Sequence, residues 1–446
     1  MLFLRRRALP PAAFLALLAI FPLTGCSATR PWMNGPLSAA EPVRYDGAAQ
    51  MADPGRLPEV LVVANFSGGG SRSAAFAYAA LAELEKMSFR WRGRQTNLAR
   101  ELDVVTGVSG GAVAAAHLSL FGLPAHLEHF PADFLQDNFQ HRLVRSLLGH
   151  LGRAASPWYG RGNLLATELD QRIFKGATFG DLARLEGRPY LIVASTDLSS
   201  GVEFDFTADQ LGLICSSIDQ VPLAFAVAAS SAVPALFSPL TLESHHRQCA
   251  RPLPPAPEGA DEPEERRYIH LVDGGVADDC GTHRIATLVA KAGGIRRLYA
   301  GLGEGRTPRR IVFLSVNSER RSGLAIDHSA RVPGAVEVIN AMLYNGLGRQ
   351  SKEAAQVFGN QIEAWRRELA EGGLADGGRG SDIYDIHIKL DELDDPGLQR
   401  QVLAIPTSFQ LSAEQIELIS RAARAALGKS AELQRFFASV DRAAGP

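Results

Sequence analysis

The chain contains few cysteines, and those it has are far apart. They are Cys26, Cys215, Cys249 and Cys280 among 446 residues, and no two of them form a C-x-x-C pair. Structural zinc ligands usually come in such pairs, so the spacing argues against a zinc site. It also gives no indication of a disulfide framework. We expect the protein to use neither a metal nor a cofactor.

The chain also lacks the excess of one charge that would attract a charged polymer. Its 46 Lys and Arg residues against 48 Asp and Glu leave a formal charge of −2, which argues against nucleic acid as the main partner. The glycine-rich stretch at residues 67–73 lacks the G-K-S/T ending of a nucleotide-binding loop. The sequence shows no internal repeat, and its hydrophobic content of 46% supports a sizeable core.

At its N-terminus the chain has a segment typical of a secretory signal. Arg5–Arg7 are basic, an apolar run follows, and Leu23–Cys26 reads L-T-G-C, which resembles a bacterial lipobox. We predict a signal peptide over residues 1–25 and acylation of Cys26, which would hold the protein stably in a membrane. Ser27 favours the outer membrane, so we expect a lipid-anchored protein of the bacterial cell envelope. The alternative is a short anchor helix with an ordinary buried cysteine.

Composition divides the rest of the chain into a tether, one large domain and a tail. Residues 26–58 are rich in Pro, Gly and Ala and show no periodicity, which predicts a tether. One domain is expected over residues 59–426, with a proline-rich, highly charged and mobile insertion at about 245–267. Residues 427–446 are assigned to a C-terminal tail.

The stretch Leu102–Gly111 indicates a nucleophile. Its first residues are mostly apolar and β-branched, which predicts a buried strand, and the residues after it predict a helix. Between them G-V-S-G-G fits G-x-S-x-G, and strand, sharp turn and helix are the context of a nucleophile elbow. Gly107, Gly110 and Gly111 leave room for the tight turn. Ser109 is therefore the candidate nucleophile, at a helix N-terminus whose dipole favours a developing anion.

A second glycine-rich turn follows the first predicted strand, Glu59–Asn65. It reads S-G-G-G-S-R-S over residues 67–73 and leads into a helix whose apolar residues recur at three- and four-residue steps. Glycine amides with no side chain over them can point at one oxygen and stabilise its negative charge. Gly68, Gly69 and Gly70 are therefore candidates for an oxyanion hole. The alternative is a turn that lets a helix and a strand pack closely.

A later strand supplies a candidate acid. Tyr268–Val272 predicts a strand that ends at Asp273, followed by Gly274 and Gly275. Because functional groups in open α/β sheets collect at the carboxyl ends of strands, we expect Asp273 to meet Ser109. Taken alone, an aspartate before two glycines is more typical of an ordinary turn.

Two apolar stretches have more than one interpretation. Residues 125–165 combine phenylalanines and leucines with arginines, which fits either an amphipathic lid or membrane-facing surface, or a surface helix packed on the sheet. Residues 221–242 carry no charge and are long enough to span a membrane, but three prolines interrupt them. We expect a buried helix that ends near Val233.

Three motifs together resemble those of the patatin-like phospholipases. They are Ser67–Arg72, Gly107–Gly111 and Asp273–Gly275, and the resemblance extends over about residues 59–426. It implies an α/β fold, a three-layer α/β/α sandwich with a mostly parallel central sheet. It also implies a Ser–Asp dyad that hydrolyses acyl esters of lipids, with membrane lipids as substrate.

Matched by motif, the resemblance implies that Ser109 is the nucleophile and Asp273 the general base. The oxyanion hole would be formed by glycine amides: Gly68, Gly69, Gly70 and Gly110. The motifs would be supported by Arg72, Gly107, Gly111, Gly274 and Gly275. The family pattern has a glycine where this chain has Ser73. A serine tolerates helical torsions, so the loop is expected to close.

Two other functions stay open on the sequence. One is a catalytically idle envelope lipoprotein that binds acyl chains or a protein partner, although no particular partner is indicated. The other is an esterase with a Ser–Asp–His triad, in which the histidine follows the acid along the chain. The candidates are His283, His328 and His387, none of which ends a strand as Asp273 does. We therefore predict that Asp273 acts directly on Ser109.

Overall fold

The computed structural model describes most of the predicted domain. The described residues are 30–38, 43–51, 55–139, 142, 145, 156–249, 266–278, 282–300, 308–318, 334, 356–371, 382–406 and 410–443. The predicted signal peptide, Cys26, His328 and most of the predicted insertion lie outside them.

The described strands are numbered here in chain order. They are β1 Val60–Phe66, β2 Ser88–Trp91, β3 Arg94–Asn97, β4 Leu102–Val108, β5 Tyr190–Asp197, β6 Glu203–Phe206, β7 Leu240–Glu243, β8 Tyr268–Asp273, β9 Arg310–Asn317 and β10 Asp382–Lys389. β2 and β3 form a separate antiparallel hairpin, and the others form one sheet.

The sheet is mostly parallel. Its order is β10-β9-β1-β4-β5-β8-β7, with β6 also paired to β5. β10, β9, β1, β4 and β5 run parallel, whereas β6 and β8 are antiparallel to β5, and β7 is antiparallel to β8. Every residue of β1, β4 and β5 is buried, as expected for apolar strands covered on both faces. The predicted fold class is confirmed.

Helices flank this sheet. They are α1 Gly47–Met51, α2 Gly70–Lys86, α3 Gly110–Phe121, α4 Leu123–Phe130, α5 Arg161–Leu169, α6 Phe179–Leu182, α7 Ala208–Leu213, α8 Leu223–Ser230, α9 Thr282–Ala292, α10 Ile295–Ala300, α11 at residues 356–371, α12 Pro396–Ala404, α13 Ala413–Lys429 and α14 Ala431–Ala443. π-helical turns at Pro131–Leu135 and Asp170–Phe174 follow α4 and α5. α2 packs against α3 and α13, and α8 packs against α5 and β5.

The two ambiguous apolar stretches contribute to the core where they are described. Residues 221–242 contain the fully buried helix α8, which ends at Ser230, slightly before the predicted end. In the stretch 125–165, three phenylalanines are buried: Phe130, Phe134 and Phe139. The choice between a lid or membrane-facing surface and a surface helix depends on residues 140–155, of which the structure describes only 142 and 145. No helix in the described ranges is both long enough and apolar enough to cross a membrane.

The domain extends beyond the predicted boundaries at both ends. Residues 431–443, assigned to a tail, form α14, which contacts β2 and β10 and buries Phe436 completely. Part of the predicted tether also packs on the domain. Tyr45 is fully buried, and its hydroxyl accepts a hydrogen bond from the Leu191 amide at 2.7 Å. Both segments carry apolar side chains that burial removes from water, and sequence composition alone did not reveal this.

A disulfide joins Cys215 to Cys249, which corrects the expectation of no disulfide. The two residues are 34 positions apart, and folding brings their Cα atoms to 5.5 Å. The segment at 245–249 is consequently held on the domain, although it falls inside the predicted insertion. The Asn34 carbonyl contacts the imidazole of His245 at 2.9 Å, so the same region also holds the N-terminal segment.

Candidate active site

Ser109 lies in the turn between β4 and α3. Its torsions are φ 52° and ψ −120°, an unusual conformation for a residue other than glycine, and its side chain is largely buried. Such a conformation costs about 1–3 kcal/mol and persists only where surrounding contacts enforce it. One such contact is visible: the Ser109 amide donates a hydrogen bond to Ser230 Oγ at 2.9 Å. The predicted strand, sharp turn and helix are present.

The glycines around Ser109 permit the close approach of three backbone segments. A Cβ on Gly107 would collide with the backbone of α3, and one on Gly111 would collide with the Phe66 carbonyl at the end of β1. A Cβ on Gly110 would fall on the Gly70 carbonyl. The elbow and the glycine-rich loop are therefore in direct backbone contact, which only residues without a side chain allow.

The glycine-rich loop adopts torsions that favour glycine. Gly69 has φ 128° and Gly70 has φ 65°. Ser73 lies in the first turn of α2 and does not have a positive φ. Its hydroxyl donates a hydrogen bond to the Gly70 carbonyl at 2.9 Å. The serine in place of the family's usual glycine is therefore accommodated, as expected.

Ser318, just after β9, fixes the start of this loop. Its hydroxyl donates to the Gly68 carbonyl at 3.1 Å, and its amide donates to Ser67 Oγ at 3.0 Å. The buried Arg72 side chain then donates to the Ser318 carbonyl at 3.1 Å and to the Ile405 carbonyl at 3.0 Å. Arg72 thus ties α2 to two distant segments, which explains its place in the motif.

Asp273 is buried beside Ser109. Its carboxylate accepts a hydrogen bond from the Gly275 amide at 2.9 Å, and the Ser109 hydroxyl lies close enough to lower its pKa. Burial raises the pKa of Asp273 to about 6, and the Gly275 amide and the Ser109 hydroxyl partly offset that rise. Gly274 supports the turn, since a Cβ there would collide with the Ala194 carbonyl of β5.

The strand that carries Asp273 does not run parallel to its neighbour, as the sequence argument assumed. β8 runs antiparallel to β5, so its carboxyl end would lie at the opposite edge of the sheet if the two strands overlapped fully. They pair only at the last three residues of β5, with Asp273 opposite Ser195. Because Ala194 lies opposite Val108, Asp273 is level with the end of β4. A short overlap, and not a parallel strand, brings the two side chains together.

The one triad candidate with a described side chain, His387, lies away from the pair. It is on β10, where its Nε2 contacts Asp385 Oδ1 at 2.8 Å. β10 is three strand positions from β4, a separation of about 14 Å at the usual strand spacing. The side chain of His283 and the whole of His328 lie outside the described residues.

Ser230 and Ser318 were not identified from the sequence as residues that support the site. Neither residue belongs to any of the three motifs. A polar side chain inside the uncharged stretch 221–242 was the available signal for Ser230. In the described part of the chain, no group of three or more His, Cys, Asp or Glu residues is arranged to hold a metal ion.

Comparisons with solved structures find matches of low sequence identity. The human GIVD cytosolic phospholipase A2 is 12% identical, with a TM-score of 0.42, and the match covers 90% of this chain and 65% of that chain. The same human enzyme in complex with methyl gamma-linolenyl fluorophosphonate is 15% identical, with a TM-score of 0.41, covering 90% and 62%. The ExoU–SpcU complex of Pseudomonas aeruginosa gives 16% identity, a TM-score of 0.23, and coverage of 68% and 52%. The chain thus spans less than two thirds of the length of these proteins.

A comparison with curated proteins finds no match. The patatin-like phospholipase family model matches residues 66–285. This range contains the glycine-rich loop, the elbow with Ser109 and the turn with Asp273. Residues 66–285 are therefore similar in sequence to the patatin-like phospholipases.

Proposed function

We propose that the protein is a serine lipid acyl hydrolase in which Asp273 activates Ser109 directly. The observation that carries this proposal is the proximity of the Ser109 hydroxyl to the buried Asp273 carboxylate, at a strained elbow. A nucleophile within hydrogen-bond reach of its base is the arrangement that covalent catalysis requires. The match to the patatin-like phospholipase family model supports an ester of a lipid as substrate.

In the proposed first step, Asp273 takes the Ser109 proton as Oγ bonds to the ester carbonyl carbon. The carbonyl electron pair moves onto oxygen, and amides of the glycine-rich loop and of Gly110 stabilise that anion. One well-placed donor of this kind lowers the barrier by about 3–4 kcal/mol. The tetrahedral species expels the alcohol, which receives the proton from Asp273 and leaves an acyl-enzyme. Water repeats the sequence and releases the fatty acid.

The electrostatics of the pair suit this chemistry. A carboxylate with a pKa of about 6 is a better base than an exposed aspartate and is still mostly ionised at neutral pH. Ser109 precedes the first turn of α3, where the helix dipole stabilises negative charge on the reacting oxygen.

We propose further that the enzyme works at the membrane of a bacterial envelope, held there by acyl chains on Cys26. The basic and apolar N-terminal segment that ends in L-T-G-C supports this location. The test is metabolic labelling with a fatty-acid probe. Wild type should incorporate the probe and Cys26→Ser should not. Equal incorporation would refute the anchor.

The hydrolase proposal is tested with a serine-directed fluorophosphonate probe and a mixed envelope lipid extract. Wild type should be labelled and should release fatty acids, and Ser109→Ala should do neither while remaining folded. Ser420→Ala is the matched control, because that hydroxyl only donates to the Ile416 carbonyl within α13. Folded wild type that neither reacts with the probe nor consumes any lipid would favour the idle lipoprotein. A histidine variant as inactive as Ser109→Ala would favour the triad.

A further inference from the structure

Two exposed apolar side chains and two arginines form a patch, called here the Trp158 patch. Trp158 is 52% exposed and Leu236 is 47% exposed. The Arg30 guanidinium lies over the Trp158 ring at 5.1 Å, and Arg161 donates to the Ala235 carbonyl at 2.9 Å. The residues before α5 and those after α8 therefore form one continuous surface.

The Trp158 patch adjoins the candidate active site through the chain segment after α8. Ser230, at the end of α8, accepts the hydrogen bond of the Ser109 amide. The carbonyl of Ala232 accepts the Asp273 amide at 3.0 Å. Leu236 follows four residues later, so the patch lies within about 14 Å of the catalytic pair along an extended chain.

The chemistry of the patch fits an anionic lipid surface. Tryptophan and arginine are typical of the membrane interface, where an apolar body meets charged headgroups. Both guanidinium groups are engaged by neutral partners, an indole ring and a carbonyl, so their positive charge stays at the surface. A basic residue near an anionic membrane strengthens binding about fivefold.

The path of the N-terminal segment brings the proposed anchor to the same patch. Residues 30–38 do not extend away from the domain: Trp32 packs on Phe225 of α8 with ring centroids 4.7 Å apart, and Asn34 donates to the Glu243 carbonyl at 2.8 Å. Cys26 precedes Arg30 by four residues, so an acylated Cys26 lies at most about 14 Å from Arg30. Acyl chains in a membrane would therefore bring the Trp158 patch to its surface.

We propose that the Trp158 patch docks on an anionic phospholipid surface and thereby holds the active site against the membrane. This inference rests on the proposed lipid hydrolase and its acylated Cys26. It replaces the predicted long tether by a linker of only a few residues. The enzyme then takes its lipid from the membrane that anchors it.

The orientation is tested by tryptophan fluorescence with the acylated full chain in a Ser109→Ala background, which prevents lipid hydrolysis. The vesicles contain phosphatidylglycerol and phosphatidylethanolamine in equal parts, with or without brominated acyl chains. Docking predicts quenching by the brominated chains, and Trp158→Phe should abolish most of it. The buried Trp91 and Trp365 should stay unquenched. Absence of quenching, or quenching unchanged in Trp158→Phe, would overturn the proposal.

A second measurement separates docking from catalysis. Leu236→Ser and Arg161→Glu should lower hydrolysis of the anionic vesicles about fivefold or more and leave turnover of a soluble short-chain ester within about twofold. The matched controls lie on α11: Val357→Ser, which is 55% exposed, and Arg367→Glu. Equal loss on both substrates, or no loss on vesicles, would overturn docking and leave the hydrolase proposal standing. If wild type cleaves neither substrate, the hydrolase proposal fails, and the fluorescence result still decides the docking.

Discussion

Replacing Asp273 by asparagine should remove activity and, at neutral pH, raise stability. The two side chains have nearly the same shape, so the acceptor for the Gly275 amide is kept. Asparagine cannot take the Ser109 proton, and hydrolysis should fall by several orders of magnitude. It also carries no charge, so the folded state no longer holds a buried carboxylate.

The magnitude follows from the pKa of Asp273. The carboxyl loses its proton near pH 4 in the unfolded chain and near pH 6 in the folded protein. Between these values the folded state binds a proton that the unfolded state has released, so wild-type stability falls as pH rises through this window. A pKa difference of about two corresponds to about 3 kcal/mol in the free energy of unfolding. The asparagine variant does not lose stability in this way, because its side chain does not titrate.

The assay is urea unfolding of both proteins at a series of pH values from about 4 to 8. The unfolding free energy of Asp273→Asn minus that of wild type should rise by up to about 3 kcal/mol across this window and level off above pH 7. In Ser109→Ala the carboxylate loses a neighbouring hydroxyl that lowers its pKa, so the fall in stability should extend to higher pH. A difference that does not change with pH would refute the desolvation argument. Wild-type kcat/KM should be half-maximal near pH 6 and reach a plateau above about pH 7. A rate independent of pH would argue against Asp273 as the base.

Three further predictions concern the framework of the site. Gly110→Ala should abolish activity and destabilise the fold by about 1–3 kcal/mol, because its Cβ collides with the Gly70 carbonyl. At the control position Gly212, an added Cβ meets nothing within 4 Å. Wild-type kcat and stability in Gly110→Ala would contradict this geometry. Ser318→Ala removes the hydroxyl that donates to the Gly68 carbonyl, so steady-state kinetics should show kcat lowered about tenfold with little change in KM. An unchanged kcat would mean that the loop needs no such support. Cys215→Ser should cost about 4 kcal/mol in chemical denaturation, since the disulfide closes a loop over 34 positions, and reduced wild type should match it. Equal stability with and without the disulfide would contradict that value.

Local patterns allowed much of the site to be predicted. The apolar run before Gly107 and the glycines around Ser109 permit a strand, a sharp turn and a helix, because torsional freedom depends on the residues themselves. Ser412 is likewise a local signal, since its side chain caps α13 through the Gln415 amide. Each of these features needs only neighbours within a few positions along the chain.

Other features depend on which distant segments meet. The serines that hold the elbow and the glycine-rich loop act across 121 residues, from Ser230 to Ser109, and across 250 residues, from Ser318 to Gly68. The pairing of Cys215 with Cys249 and the burial of Tyr45 likewise have no local signature. The sequence by itself determined where the strands and sharp turns lie, because those follow from side-chain shape and periodicity. Only the tertiary structure decided the short antiparallel overlap of β8 with β5 that brings Asp273 to Ser109, because strand direction and register depend on contacts between segments far apart in the chain.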